Sequence, residues 1–509
     1  MLASIKSYGL CGIEGHEVLV EVDVSNGLPS YETVGLPDAV VRESKERVRA
    51  ALKNSGFEFP PRRITVNLAP ADLRKEGSVY DLPIAIGLLI ATGQIPGDTA
   101  KDVLILGELS LDGTVRGVTG VLAMLLSARE NGAAQVLLPE QNAREAACAK
   151  GLAILPVNSL LQAVGYLRGE TAIEPYPPEE WDISAGTAYA TDFCEIKGQQ
   201  GAKRAAEVAV AGGHNLMLIG TPGTGKTMLA RSIPSILPEL TFEEALEITK
   251  IHSALGLNAG GVVRERPFRA PHHNTSTAAI IGGGTRALPG EISLAHYGVL
   301  FLDEFLEFSK PVLEALRQPL EDGMITIARS NAKSTYPANF MLVAAMNPCP
   351  CGNYGSRTKR CTCTPSQIQR YQSRVSMPML ERIDIHVEMS DVAYSDLSSN
   401  STGEPSSAVR ERINAARAIQ RERYADGGFL FNAQLTGKSI QRYCALTKEC
   451  EKLLKQAFHS LHLSARAYHR VLKVARTIAD LERCEFLQPP HIAEAIQYRS
   501  LDRKYWKDS

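Results

Sequence analysis

Valines at 18, 20, 22 and 24 alternate with Glu17, Glu21 and Asp23, the period-2 pattern of a strand with one buried face. The apolar spacing turns helical over 38–54 and again over 82–92, so the first 170 residues mix strands with helices. Farther on, Leu216–Ile219, Val299–Leu302 and Phe340–Ala345 are short apolar runs without alternation, as expected of parallel strands buried on both faces. From residue 408 the periodicity is helical, for instance over Ala465–Leu481. Weakly patterned stretches bearing Pro, Gly and Ser at 171–191 and 395–407 read as linkers. The expected fold class is α/β: an α+β domain over 1–170, a three-layer α/β core over 192–394 and a helical domain over 408–509. The chain has no internal repeat.

A chain of 509 residues suits about three domains, and 44% hydrophobic residues are enough for real cores. Lys plus Arg (55) and Asp plus Glu (56) leave a formal charge of −1, so a nucleic-acid partner must be met by local basic surface. The longest apolar stretch, Leu82–Ala91, is too short for a bilayer, and the first residues lack a signal-peptide layout. Four of the ten cysteines crowd between 349 and 363, which argues against a disulfide scaffold and for the cytoplasm.

Gly220-Thr221-Pro222-Gly223-Thr224-Gly225-Lys226-Thr227 fills every fixed position of the P-loop pattern. It follows an expected strand and opens a helix at Met228, the context the motif requires. Glycines there let backbone N–H groups turn onto phosphate oxygens. Lys226 is suited to the β- and γ-phosphates of ATP, and Thr227 to Mg²⁺. The run Gly298–Leu302 ends in Asp303 and Glu304. At the carboxyl end of a parallel strand both acids can reach the crevice above the sheet, Asp303 for Mg²⁺ and Glu304 as general base toward water. Asn347, at the end of a third strand, is placed to bond the γ-phosphate or the water.

Cys349-Pro-Cys351 and Cys361-Thr-Cys363 form two C-x-C pairs, a set suited to a closed structural Zn²⁺ site; redox thiols are the alternative. The enclosed loop carries Arg357, Lys359 and Arg360, either phosphate contacts or a plain solvated loop. Residues 324–333 read as a β-hairpin whose basic residues, Arg329 and Lys333, suit phosphates, although an ordinary solvated turn would look the same. On the stretch from Arg410 to Arg423, interleaved acids make a solvated face the expectation.

With the P-loop, the Gly298–Glu304 strand, Ala345–Gly352, Leu380-Glu-Arg382-Ile-Asp384 and Leu463–Arg466, the chain resembles the AAA+ ATPases of the magnesium-chelatase-like YifB/ComM group over essentially its whole length. The resemblance implies a P-loop AAA+ core and a C-terminal helical lid. It implies Asn347 as the sensor-1 residue, Arg382 as an arginine finger completing a neighbour's site, and Arg466 as the sensor-2 arginine, with Arg470 as its competitor. Ile196 and Gly198 fall where the family packs backbone against adenine. A finger supplied by a neighbour implies a homo-oligomeric, hexameric ring.

Residues 74–81 and 107–122 resemble the Lon protease domain, but the positions of its serine and lysine hold Val79 and Leu122. Neither can do nucleophilic or base chemistry, and Ser78 lacks a lysine partner. A peptidase is therefore not expected. The resemblance points to a DNA motor of helicase or branch-migration type acting on single-stranded or branched DNA. The alternative is a protein-remodelling or chelatase-type ATPase.

Overall fold

The computed structural model describes residues 2–506 except 180, 182–188, 190, 259, 285, 286, 330, 331, 357, 393–402 and 426; for 328, 329, 332, 333, 502 and 503 only the backbone is described. Arg357 and much of the second expected linker thus lie outside the described residues. The chain forms two compact units, Met1–Ser184 with Thr241–Arg264, and Ala185–Leu240 with Glu265–Ser509.

In the first unit, the alternation around Val18–Val24 becomes the strand Glu14–Ser25, whose valines at 18, 20, 22 and 24 are all buried. It pairs antiparallel with Leu2–Cys11 and Arg63–Ala69, and Ser30–Val34 adds to the latter in parallel. The helices fall where the spacing puts them, Ala39–Asn54 and Asp81–Ala91. Asp38 caps the first, its carboxylate accepting from Val41 N–H at 2.8 Å. A second, parallel sheet joins Leu104–Ile105, Gln135–Pro139 and Ala153–Val157. Val79 and Leu122 are buried, while the Ser78 hydroxyl donates to Glu108.

The segment Thr241–Arg264 lies inside the span expected to be the α/β core, yet it packs in the first unit. Its helix Phe242–Ala254 buries Ala245, Ile248 and Ile251. Gly120 N–H donates to the Ser253 carbonyl at 3.1 Å, and buried Glu145 accepts from Leu122 N–H at 3.1 Å and from the Ser253 hydroxyl. Helical spacing marks such a helix but not the helix Val121–Glu130 against which it packs.

The second unit is built on a five-stranded, all-parallel sheet in the order Phe268–Arg269, Val299–Leu302, Met341–Met346, Leu216–Gly220, Ile385–Met389. Helices Gln200–Gly212, Lys226–Ile236, Ser406–Arg423 and Ala465–Leu481 bury their apolar faces in one core that includes Leu218, Val343, Ala209, Ile413 and Ile478. Strands Met324–Arg329 and Ala332–Pro337 pair antiparallel, as expected of the basic hairpin.

The arginines of Ser406–Arg423 depart from the solvated face that their interleaved acids suggest. Arg417 lies over the Phe431 ring at 3.8 Å and donates to the Val210 carbonyl at 2.6 Å. Arg423 pairs with buried Asp480 at 2.5 Å, and Arg412 with Glu207 at 2.6 Å. Charge alternation cannot reveal that buried acids and helix-end carbonyls await these guanidinium groups.

A buried polar network joins the sheet to the C-terminal helices. Asp384 receives the Arg470 guanidinium and lies 3.3 Å from His214 Nδ1, whose other nitrogen is 2.8 Å from the Thr477 hydroxyl. Burial opposes the charge of Asp384, but Arg470, His214 and Lys473 together outweigh it and hold the carboxyl well below the usual range. Replacing Asp384 with Ala strands the Arg470 guanidinium in a largely buried site. The expected loss is about 3 kcal/mol of unfolding free energy, read from denaturant titration.

Candidate active site

The crevice lies at the carboxyl edge of the parallel sheet. Leu216–Gly220 ends in the loop whose Gly223 and Gly225 adopt left-handed conformations, φ +87° and +89°, a region that favours glycine. Helix Lys226–Ile236 begins at once, so its unpaired N–H groups open onto the crevice. Thr224 is buried and Met228 exposed. Lys226 folds back over the loop, and its ammonium donates to the carbonyls of Gly220 at 2.7 Å and Thr221 at 2.9 Å and to Asn347 Oδ1 at 3.2 Å. Burial pulls that ammonium down to about 8, against the nearby Asp303 carboxylate. Its three donors are thus held by groups that phosphate oxygens can replace.

Thr227 donates its hydroxyl to Asp303 Oδ2 at 2.8 Å. A hydroxyl and a carboxylate so placed offer the hard oxygen ligands that Mg²⁺ takes. Asp303 Oδ1 also accepts the Glu304 N–H at 3.0 Å, and Glu304 is left-handed at φ +51° with an exposed side chain. Lys226, Thr227, Asp303, Glu304 and Asn347, spread over 121 residues of sequence, therefore meet at three adjacent strand ends. Ile196 is buried and Gly198 has φ +62°. The next residue, Gln199, reaches the Thr224 carbonyl at 3.2 Å and the Ser390 carbonyl at 2.6 Å. That ties the segment read as the adenine side to the phosphate loop.

Arg382 and Arg466 make their bonds elsewhere. Arg382 is buried, donating to the carbonyls of Pro378 at 2.6 Å and Arg317 at 3.2 Å and pairing with Glu321 at 2.5 Å. Arg466 is exposed and pairs with Glu381 at 3.2 Å, whereas Arg470 is committed to Asp384. Lys359 and Arg360 are exposed. Arg329 and Lys333 sit on the two hairpin strands, and their side chains are outside the described set.

Sequence reasoning missed three neighbours of the crevice. His273 Nδ1 lies 3.0 Å from Glu304 Oε2. Asp391 accepts the Thr221 hydroxyl at 2.7 Å. Gln199 bridges two carbonyls as above. The adjacent histidines and the acid just past a buried strand were the available signals, but each is an ordinary surface residue until the sheet is assembled.

The four cysteine sulfurs all lie within 4.8 Å of one another, with Cys349, Cys351 and Cys361 separated by 3.4, 3.6 and 3.7 Å. Tetrahedral Zn²⁺ with ligands at about 2.3 Å needs sulfurs roughly 3.8 Å apart, so the set is nearly preformed for zinc. N–H groups of Asn353 and Thr362 hold the Cys351 thiol down at about 5, while burial pushes Cys349 up to about 12. Cys351 is thus disposed to ionise, and a metal must displace the proton of Cys349.

Residues 192–397 match the family described as "Magnesium chelatase, subunit ChlI", 20–142 match "Subunit ChlI of Mg-chelatase", and 403–499 match its C-terminal domain. "Uncharacterized protein YifB" of Salmonella typhimurium is 44% identical over 506 residues, covering 99% of this chain and 98% of that protein. "Competence protein ComM" of Haemophilus influenzae is 45% identical over 508 residues, with the same coverage of 99% and 98%. More distantly, "Maternal DNA replication licensing factor mcm6" of Xenopus tropicalis is 22% identical over 312 residues, 57% of this chain and 33% of its own.

Purified protein is expected to carry one zinc per chain, and Cys361→Ser to lose it. Elemental analysis checks this; four titratable thiols with no zinc in the native protein would refute the site.

Proposed function

The chain belongs to the magnesium-chelatase-like YifB/ComM family, and on that premise we propose that it is an ATP-driven DNA motor working as a homo-oligomeric, hexameric ring. The observation that carries the reading is the meeting of Lys226, Thr227, Asp303 and Asn347 at one crevice. The name of the competence relative and the likeness to a replication licensing factor support DNA as the polymer. Single-stranded or branched recombination intermediates are the substrates this favours. No helix among the described residues is long and apolar enough to cross a membrane. A cytoplasmic setting suits four reduced thiols.

In this reading the P-loop N–H groups from Gly223 to Thr227 cradle the triphosphate. Lys226 exchanges its loop carbonyls for β- and γ-phosphate oxygens. Thr227 and Asp303 would hold Mg²⁺, which when bound neutralises charge developing on the phosphates. Glu304 takes the proton of the water that attacks the γ-phosphorus, and the bond to the bridging oxygen breaks to leave ADP and phosphate. Asn347 orients that water or the γ-phosphate, and Ile196 and Gly198 line the adenine. Arg382 reaches a neighbour's γ-phosphate once it leaves Glu321, and Arg466 serves as the lid arginine. Arg329, Lys333, Lys359, Arg360 and Arg357 supply phosphate contacts to DNA. Cys349, Cys351, Cys361 and Cys363 would hold Zn²⁺, which when bound would brace the loop that carries Arg357, Lys359 and Arg360.

The matched family, a magnesium chelatase subunit, favours a second reading as a metal-insertion or protein-remodelling ATPase. Hydrolysis rates measured without polymer, with single-stranded DNA, with branched DNA and with an unfolded polypeptide decide between them. We expect stimulation by DNA; a response to the polypeptide alone would overturn the motor. Lys226→Ala and Glu304→Gln are expected to lower turnover by about a hundredfold or more. Arg329→Ala combined with Lys333→Ala is expected to weaken DNA binding and flatten its salt dependence by about two ionic contacts, in a titration against ionic strength.

A further inference from the structure

The turn-built loop between Cys349 and Cys363 (the cysteine hairpin, separate from the stranded hairpin over 324–337) touches the phosphate loop at two separate points. At its base, Gly352 is left-handed at φ +80°, and a Cβ placed there would stand 2.7 Å from Pro222 Cδ. The hairpin backbone therefore lies directly on the P-loop proline. At its outer part, the Thr358 hydroxyl donates to Asp391 Oδ2 at 2.9 Å and the Ser356 hydroxyl reaches the same oxygen at 3.3 Å. The other oxygen of Asp391 accepts the Thr221 hydroxyl at 2.7 Å. One carboxylate thus bridges the hairpin to the loop that Lys226 and Thr227 belong to. Asp391 lies just beyond the strand Ile385–Met389, whose Met389 pairs with Gly220, so the strand fixes the bridge in place. Its neighbour Ser390 is itself held by Gln199 at 2.6 Å.

We propose that the cysteine hairpin is a control element of the nucleotide pocket, with Asp391 as the positioning residue through which the metal-bound hairpin sets nucleotide affinity. This rests on the reading of the P-loop as an ATP site and of the four thiols as a zinc site. Zinc closes the loop between Cys349 and Cys363 and holds Ser356 and Thr358 against Asp391. The carboxylate is then fixed to take Thr221 and so to hold the phosphate loop open in one shape. Without the metal the hairpin loses its closure, the two hydroxyls leave, and the loop keeps fewer of its restraints. Coupling of this kind is reciprocal: whatever zinc does for nucleotide, nucleotide must do for zinc.

The test uses the full chain and a fluorescent ADP analogue. Zinc-stripped protein is expected to bind it about three- to tenfold more weakly than zinc-loaded protein, the scale of one or two hydrogen bonds. Zinc-loaded Asp391→Ala should lose affinity by the same factor, and stripping its zinc should cost little more, because both changes break one linkage. Thr358→Val with Ser356→Ala keeps all four thiols, so it should weaken nucleotide binding while zinc content and thermal unfolding stay at wild-type values. Conversely, ADP should slow zinc loss to a chelator in the wild type and not in Asp391→Ala. Unchanged affinity in Asp391→Ala, or losses from zinc removal and from Asp391→Ala that simply add, would overturn the proposal. Failure of the underlying readings looks different: a chain without zinc by elemental analysis refutes the metal site, and undiminished ADP binding by Lys226→Ala refutes the nucleotide site.

Discussion

Parallel strand register is the constraint from which the crevice follows. Gly220 stands beside Met389, Ile219 beside Met346, and Leu302 beside Ala344. These pairings bring the loops after the strands to the same edge of the sheet, within about three residues of one another. The P-loop, the Asp303–Glu304 pair, Asn347 and Asp391 all begin within two residues of their strand ends. A one-residue slip of Met341–Met346 would turn Asn347 away from Lys226 and place its buried side chains on the wrong faces. The nearly full burial of that strand is what forbids the slip.

Within that frame the desolvated ammonium of Lys226 is the most exacting element. It is held at about 8 by burial, surrounded by two loop carbonyls and the Asn347 amide oxygen. None of these carries a full charge, and the nearby Asp303 carboxylate only partly offsets the burial of the ammonium. In the proposed reading, a polyphosphate would replace these neutral partners with charged oxygens around a desolvated ammonium. The buried Asp384–Arg470 pair works in the opposite sense. It is fully matched, and it fastens the C-terminal helices to the sheet without taking part in the crevice.

Much of this was legible before the fold was known, and the reasons are local. A P-loop works through backbone conformation, so its glycines and lysine announce themselves at fixed spacing. Buried parallel strands are uninterrupted apolar runs, which is why Leu216–Gly220, Val299–Leu302 and Met341–Met346 were visible. Helix Ala465–Leu481 was delimited by its spacing alone. What stayed hidden depends on pairs far apart in sequence. Arg382 bonded to Glu321, His273 beside Glu304 and Asp391 beneath Thr221 involve common surface residue types with no spacing of their own. The membership of Thr241–Arg264 in the first unit was hidden for the same reason, since amphipathic helices do not encode which partner they cover.

The contact of Gly352 with Pro222 limits how this hairpin can change over evolutionary time. Its inner end admits no side chain and no added residue without displacing the loop beneath it. Lys359 and Arg360, exposed between Thr358 and Cys361, meet no such barrier to a change of side chain. Side chains would be exchanged there at little structural cost, whereas the loop's length is set between the Asp391 contacts and the four thiols.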